Sequence, residues 1–140
     1  MHAKHLLISI HPKYAAKIFE GTKTVELRRV FPSARPINMI VVYVTTPVKA
    51  VAGVIHVERV VAHSPRGLWT IVKDKAGVTH QEFSEYYSGS EIGYGIFIKD
   101  VIELTRPIPL STLRDCWEDF QPPQSYRYLS QAQLTEVMRL

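Results

Sequence analysis

The chain has 140 residues, 46% hydrophobic and 21% charged, with a net charge of +4 at pH 7. That length suits one domain, residues 1–140, with a real core, and the composition is that of a soluble globular protein. No apolar run approaches the roughly 18–20 residues of a membrane span, and "MHAKHLLISI" lacks the small-residue cleavage site of a signal peptide. The single Cys116 excludes an internal disulfide. These features predict a cytoplasmic protein with no membrane partner. Cys116 sits beside Trp117 and is expected to be a buried or partly buried thiol. The oligomeric state is not legible.

The first element is a short apolar strand, "LLISI" at 6–10. Pro12 then suits the first turn of a helix. "KYAAKIFE" continues it, with Tyr14, Ile18 and Phe19 along one stripe, and Gly21 ends it in a left-handed conformation. A charged strand follows at 23–29, then a loop bracketed by Pro32 and Pro36. "MIVVYVTT" (39–46) is a β-branched run ended by Pro47, and "VAGVIHVERVV" (51–61) is another, with Gly53 as a bend or bulge. The short "TPVKA" between them predicts a hairpin. Ser64 and Pro65 open a helix over 64–74, although Gly67 weakens it. Thr79 and Glu82 have capping-box spacing for a helix closed by Gly89. "YGIFIKDVIEL" (94–104) is a long strand, and "RPIP" is expected to break it. A turn or helix at 110–119 and the segment "QPPQSYRYL" follow. A last amphipathic helix is capped by Ser130. Five to six strands, unevenly interleaved with helices, fit an α+β protein built on a small mixed or antiparallel barrel.

Charge is concentrated near the start. Residues 1–35 hold seven Lys and Arg against Glu20 and Glu26, a net +5, whereas the other 105 residues sum to −1. Such an excess can steer a polyanion to a site or be a solvated basic face. Within it lies "GTKTVELRR". Alternation along a strand sends Val25 and Leu27 to one side, expected to be the barrel core, and Glu26 and Arg28 to the other. Residues i and i+2 are about 7 Å apart on a strand, within reach of a shared ligand. Lys23 adds a point charge at the strand mouth, and Arg28 or Arg29 offers a planar fork suited to phosphate. Glu26 would accept from a base amine, orient a cation or act as a general base.

"SIHPKYAAKIFEGTKTVELRRVFP" resembles the opening signature of the ASCH domain, a branch of the PUA-like superfamily. "VYVTTPVKAVAGVIHVE", "FSEYYSGSEIGYGIFIKDV" and "PPQSYRYL" continue the resemblance in order over residues 6–129, and the last is similar to a tag of the longer prokaryotic members. The resemblance implies a PUA-like barrel with a cleft near the first helix and second strand, and RNA or a nucleotide as partner. Members include RNA-binding and transcription-related domains, ribonucleases and an amidohydrolase acting on acetylcytidine. The amidohydrolase pattern is a Lys, a Thr three residues later and a Glu from a later helix. Lys23 fits it, but the Thr position is Glu26 here, and Glu82 and Glu85 both suit the helix Glu.

The first reading is therefore an RNA- or nucleotide-binding domain, with single-stranded RNA favoured, in RNA metabolism or transcription-related regulation. Its ligand contacts would be Ser9, Lys13, Lys23, Glu26, Arg28, Arg29 and Thr45, with Gln124, Ser125, Tyr126 and Arg127 from "QSYRY", where aromatics interleaved with Arg can stack bases. The second reading is a ribonuclease on the same cleft, with Lys23 stabilising phosphate charge and Glu26 as base. No cofactor is required, although a divalent metal can assist a nuclease at Glu26. The third is a protein-interaction module. His2, His5, His11, His56, His63 and His80 are scattered without metal-ligand spacing. Trp69 and Trp117 read as core or lid residues.

Overall fold

A computed structural model describes residues 4–32 and 36–140. Positions 33–35 of the loop between Pro32 and Pro36, and His2, lie outside the described residues. In chain order the elements are β1 (Lys4–Ile10), α1 (Pro12–Glu20), β2 (Val25–Arg28), β3 (Ile37–Val44), β4 (Ala50–His63), α2 (Pro65–Val72), α3 (His80–Tyr86), β5 (Gly93–Pro109), α4 (Leu110–Cys116), β6 (Tyr126–Leu129) and α5 (Gln131–Arg139). The strands form one mixed sheet in the order β2-β5-β4-β3-β1-β6. β1 runs parallel to β3, the crossover carrying α1 and β2, and the other pairs are antiparallel. The sheet curls into a barrel-like shape whose edges, β2 and β6, do not pair.

The continuous apolar runs of β1 and β3 are explained by burial on both faces. Leu6, Ile8 and Ile10 point inward with Ile40, Val42, Ile55 and Ile96, and Ala15 and Ile18 of α1 pack into this inner cluster. Leu7, Val41 and Tyr43 point outward beneath α4 and α5, against Leu113, Trp117, Phe120, Leu134 and Val137. A third cluster lies under α2 and α3, where Leu68, Val72, Phe83 and Tyr87 cover Val25, Leu27 and Phe97.

Three expectations are corrected. Val25 and Leu27 do not fill the barrel. They are buried on its outer face by α2 and α3, so Glu26 and Arg28 occupy the inward face. "RPIP" does not end the fifth strand. Gly53 pairs with Glu103 and Val51 with Ile108, so Leu104–Pro107 bulge out opposite Ala52 and the ladder resumes at Ile108 and Pro109. Cys116 is exposed, because it closes α4 while the following Trp117 takes the buried position. Gly53 does mark an irregular register, and it also admits the Phe19 ring, which an added Cβ would approach to 2.5 Å.

Candidate functional site at the barrel seam

The inward face of β2 carries the densest buried charge among the described residues. Lys23 is 3% exposed and Glu26 6%, the two buried charged side chains among the described residues. Lys23 is drawn inward by the turn between α2 and α3. Its Nζ donates to the Ala76 carbonyl, while Lys17 Nζ donates to the Gly77 carbonyl at 2.8 Å and the Thr24 amide to Lys75 at 2.8 Å. Three successive carbonyls of that turn thus anchor the approach to β2. Lys23 Nζ also lies 3.7 Å from Glu26 Oε1 and 5.4 Å from the centre of the Tyr14 ring. Burial lowers the Lys23 pKa from its ordinary value, and the Glu26 carboxylate only partly opposes this.

Arg28 joins the two edges of the sheet. Its Nε reaches Glu26 Oε2 at 3.0 Å, its second terminal nitrogen reaches the Ser9 carbonyl at 2.7 Å, and the first reaches the Ser125 carbonyl at 3.5 Å. Ser9 belongs to β1 and Ser125 immediately precedes β6. A side chain of one edge strand therefore spans the unpaired seam to the other edge. Its fork is engaged by protein oxygens, so its immediate effect is to fix Glu26 rather than to present a free guanidinium.

Above this buried layer a cleft of about 210 Å³ opens at the seam. Ser9, His11, Tyr14, Lys23, Glu26 and Arg28 line one side, and Glu82, Phe83 and Tyr86 of α3 the other. Its mouth is crossed by Glu82, whose Oε2 takes hydrogen bonds from Lys13 Nζ at 3.3 Å and the Tyr14 hydroxyl at 3.2 Å. Glu82 Oε1 accepts from the Thr79 amide at 2.8 Å, completing the capping box of α3. The Thr79 amide, with Lys13, holds the Glu82 pKa down at about 2. Tyr14 moves the other way, raised by burial and by the adjacent Glu82 carboxylate.

The model of the ASCH domain matches residues 8–133. This chain belongs to the ASCH domain family. It is 33% identical over 137 residues to an ASCH domain-containing ribonuclease of Zymomonas mobilis, covering 98% of this chain and 92% of that protein. A crystal structure of ASCH from Zymomonas mobilis superimposes with a TM-score of 0.90 at 33% identity, covering 98% of this chain and 95% of that one. The N-terminal domain of Staphylothermus marinus McrB shares the fold alone, with a TM-score of 0.63 at 12% identity.

Of the residues the sequence put forward for this ASCH domain, Ser9, Lys23, Glu26 and Arg28 come together in the cleft. Lys13 is at its mouth. Arg29 is exposed and lies 5.0 Å from the Tyr86 ring centre, beside the cleft. Ser125 reaches the site through its carbonyl, and the Ser9 hydroxyl is committed to the Pro123 carbonyl at 2.7 Å. The rest of "QSYRY" divides. Tyr126 packs inward against the inner cluster, 6.3 Å from the Phe31 ring. Arg127 lies over Phe120, a member of the outer cluster, on the opposite face of β6. Gln124 is exposed, and Thr45 is anchored beyond β3 by its amide on the Ile10 carbonyl; neither lines the cleft.

His11, Tyr14 and Tyr86 line the cleft without having been singled out for it. Tyr14 was legible only as one member of a helical stripe. His11 had a local signal, its place just before Pro12. It caps α1, its ring accepting from the Lys13 amide at 3.3 Å. Of the two helix glutamates, Glu82 lines the cleft, because the capping box turns it toward α1. Glu85 instead accepts a bond from Gln81 on the exposed face of α3. No group of three or more His, Cys, Asp or Glu able to hold a metal lies among the described residues, and no helix there is long and apolar enough to cross a membrane.

Proposed function

We propose that the seam cleft binds single-stranded RNA, taking one nucleotide at a time, and that the bound strand is cleaved there. The observation carrying this reading is the pairing of Lys23 with Glu26 at the cleft floor, both more than nine-tenths buried. Buried ions are costly unless something uses or compensates them, and perturbed ionisable groups in a cleft mark functional sites. A volume of about 210 Å³ lies below the roughly 300–1,000 Å³ of a pocket for a drug-sized ligand. That size suits one base or nucleoside unit, with the remaining strand crossing the surface. The +5 charge of residues 1–35 favours a polyanion.

In the cleavage step Glu26 takes the proton of the ribose 2′-hydroxyl, whose oxygen attacks the adjacent phosphorus. The bond from phosphorus to the 5′-oxygen breaks, and that oxygen must gain a proton. Lys23 stabilises the phosphate charge, and its lowered pKa makes it a more willing proton donor than an ordinary lysine. Arg28 keeps Glu26 in place. The ribonuclease name of the Zymomonas mobilis relative supports the same direction. Deacetylation of a nucleoside is less well supported, since no threonine lines the cleft among the described residues.

The test is incubation with short single-stranded RNAs and modified nucleosides, with and without Mg²⁺ or Mn²⁺, and product detection by mass spectrometry. Lys23→Ala and Glu26→Gln are expected to lower cleavage at least 100-fold while remaining folded by circular dichroism. No product from any substrate would remove the cleavage step. Binding would then be judged by salt: for about three phosphates neutralised, affinity should fall roughly 20-fold between 50 and 200 mM salt. Salt-independent association would instead favour a protein partner.

A further inference from the structure

We propose that the groove between α2 and α3 is a second base site, which receives another base of the RNA strand held in the seam cleft. This rests on the RNA reading above. The groove has a volume of about 440 Å³ and includes Arg66, Trp69, Thr70, His80 and Phe83 in its lining. The Trp69 ring centre lies 5.0 Å from both His80 and Phe83, tilted 43° and 52° to them, so the buried Phe83 backs the more accessible Trp69 and His80 rings. Trp69 is only half-buried, unlike the neighbouring Phe83 and Tyr87, and leaves an apolar surface at the groove.

Two features select a nucleic-acid strand as occupant. The first is charge. Arg66 lines the groove and no carboxylate does. Glu82, on the same helix as His80, is turned away to Lys13 and Tyr14. An aromatic platform flanked by a guanidinium matches the way single strands are held, with bases stacked on rings and phosphate on cations. The second is continuity. Phe83 lines both the groove and the seam cleft, so the two sites are separated by α3 alone. A helix is about 10–12 Å across, a span that a strand of about three nucleotides can bridge.

The experiment follows Trp69 fluorescence in the unmutated chain, using uridine 5′-monophosphate and a 2′-O-methyl uridylate pentamer, which lacks the attacking hydroxyl and stays intact, as probes, with anisotropy of a labelled pentamer giving affinity. Trp69→Phe identifies the Trp69 contribution, because Trp117 is the other tryptophan and lies in the outer cluster beneath α4 and α5. The pentamer is expected to quench Trp69 and the monophosphate is not. Trp69→Ala should weaken pentamer binding roughly 5- to 150-fold, the range for loss of one base–aromatic stack. Arg66→Ala should reduce the salt slope of pentamer affinity by about 0.7, the value for one phosphate contact on a single strand. Unchanged Trp69 emission at saturating pentamer overturns the second site, and equal quenching by the monophosphate overturns the shared strand path. Lys23→Ala separates the two readings. Pentamer affinity lost with Lys23 but with Trp69 unresponsive sinks the groove alone, whereas Trp69 quenching that survives with full affinity sinks the cleft alone.

Discussion

Glu26 stands between two cations, and its removal is not equivalent to removal of either. With Glu26→Gln, Lys23 and Arg28 remain buried or half-buried without their carboxylate. With Lys23→Met, Glu26 keeps its 3.0 Å contacts to Arg28. Breaking a buried ion pair from one side costs about 3–5 kcal/mol, so Glu26→Gln should lose about that much in denaturant unfolding and Lys23→Met clearly less. Equal losses would contradict the role assigned to Arg28. The lowered Lys23 pKa adds a pH signature. Between that lowered value and 10.5 the unfolded chain binds more protons than the folded one, so this group makes stability rise with pH across the window. Tyr14 and Tyr87, both raised by burial, act in the opposite sense above pH 10, where unfolded phenols ionise first. The difference between wild type and Lys23→Met, measured from pH 7 to 10, should therefore rise in favour of wild type. Alternation made it legible in the sequence that Glu26 and Arg28 share a face. Which face points into the barrel was not legible, because a four-residue edge strand carries no sign of whether helices will cover its apolar side.

At the scale of elements, α3 serves the site through its first turn. The Thr79 to Glu82 capping box was readable from spacing alone, and its consequence for the cleft follows from geometry. One Glu82 oxygen is held at the helix start, leaving the other to meet Lys13 and Tyr14. Its pKa of about 2 means that its contribution is complete above pH 4.5 and is lost as pH falls from 4.5 toward 2. Glu82→Gln keeps an acceptor for the Thr79 amide but removes the charge. The variant's unfolding midpoint should depend less on pH across that window than the wild-type midpoint, as followed by thermal melts from pH 2 to 5. Thr79→Ala should cost about 1 kcal/mol through the lost cap and loosen the same contacts. Local rules served less well where pairing was decided across the sheet. Pro107 and Pro109 signal a break, yet β4 is long enough to recover the ladder beyond a bulge, and only the partner strand contains that information.

At the scale of the whole molecule, the cleft exists because the barrel is left open. Paired edges would bury the backbone groups of β2 and β6 in a ladder; here side chains of the site bridge part of that gap. Arg28 on β2 crosses it by donating to the carbonyls of Ser9 and Ser125, while the Ser9 hydroxyl ties the segment before β6 to its neighbour β1 through the Pro123 carbonyl. The sequence conveyed the family, the strand-rich order and the early basic excess, since these reside in local runs and spacings. It did not convey the seam, because Arg28, Ser9 and Ser125 are separated by 19 and 97 residues in the chain. If the seam is held this way, Arg28→Lys should open it even though charge is conserved. Lysine offers a single nitrogen where the guanidinium serves three acceptors from three nitrogens. Hydrogen bonds from charged donors contribute about 1.5–3 kcal/mol each, and at least one to a carbonyl must be lost. Hydrogen exchange should then quicken first at the amides of β6 and of Gln124 and Ser125, with those of β3 and β4 keeping their protection. Uniform acceleration across all strands would mean that Arg28 supports the fold as a whole. Unchanged exchange at β6 would mean that β1 pairing alone holds that edge, and that the cleft does not depend on the bridge.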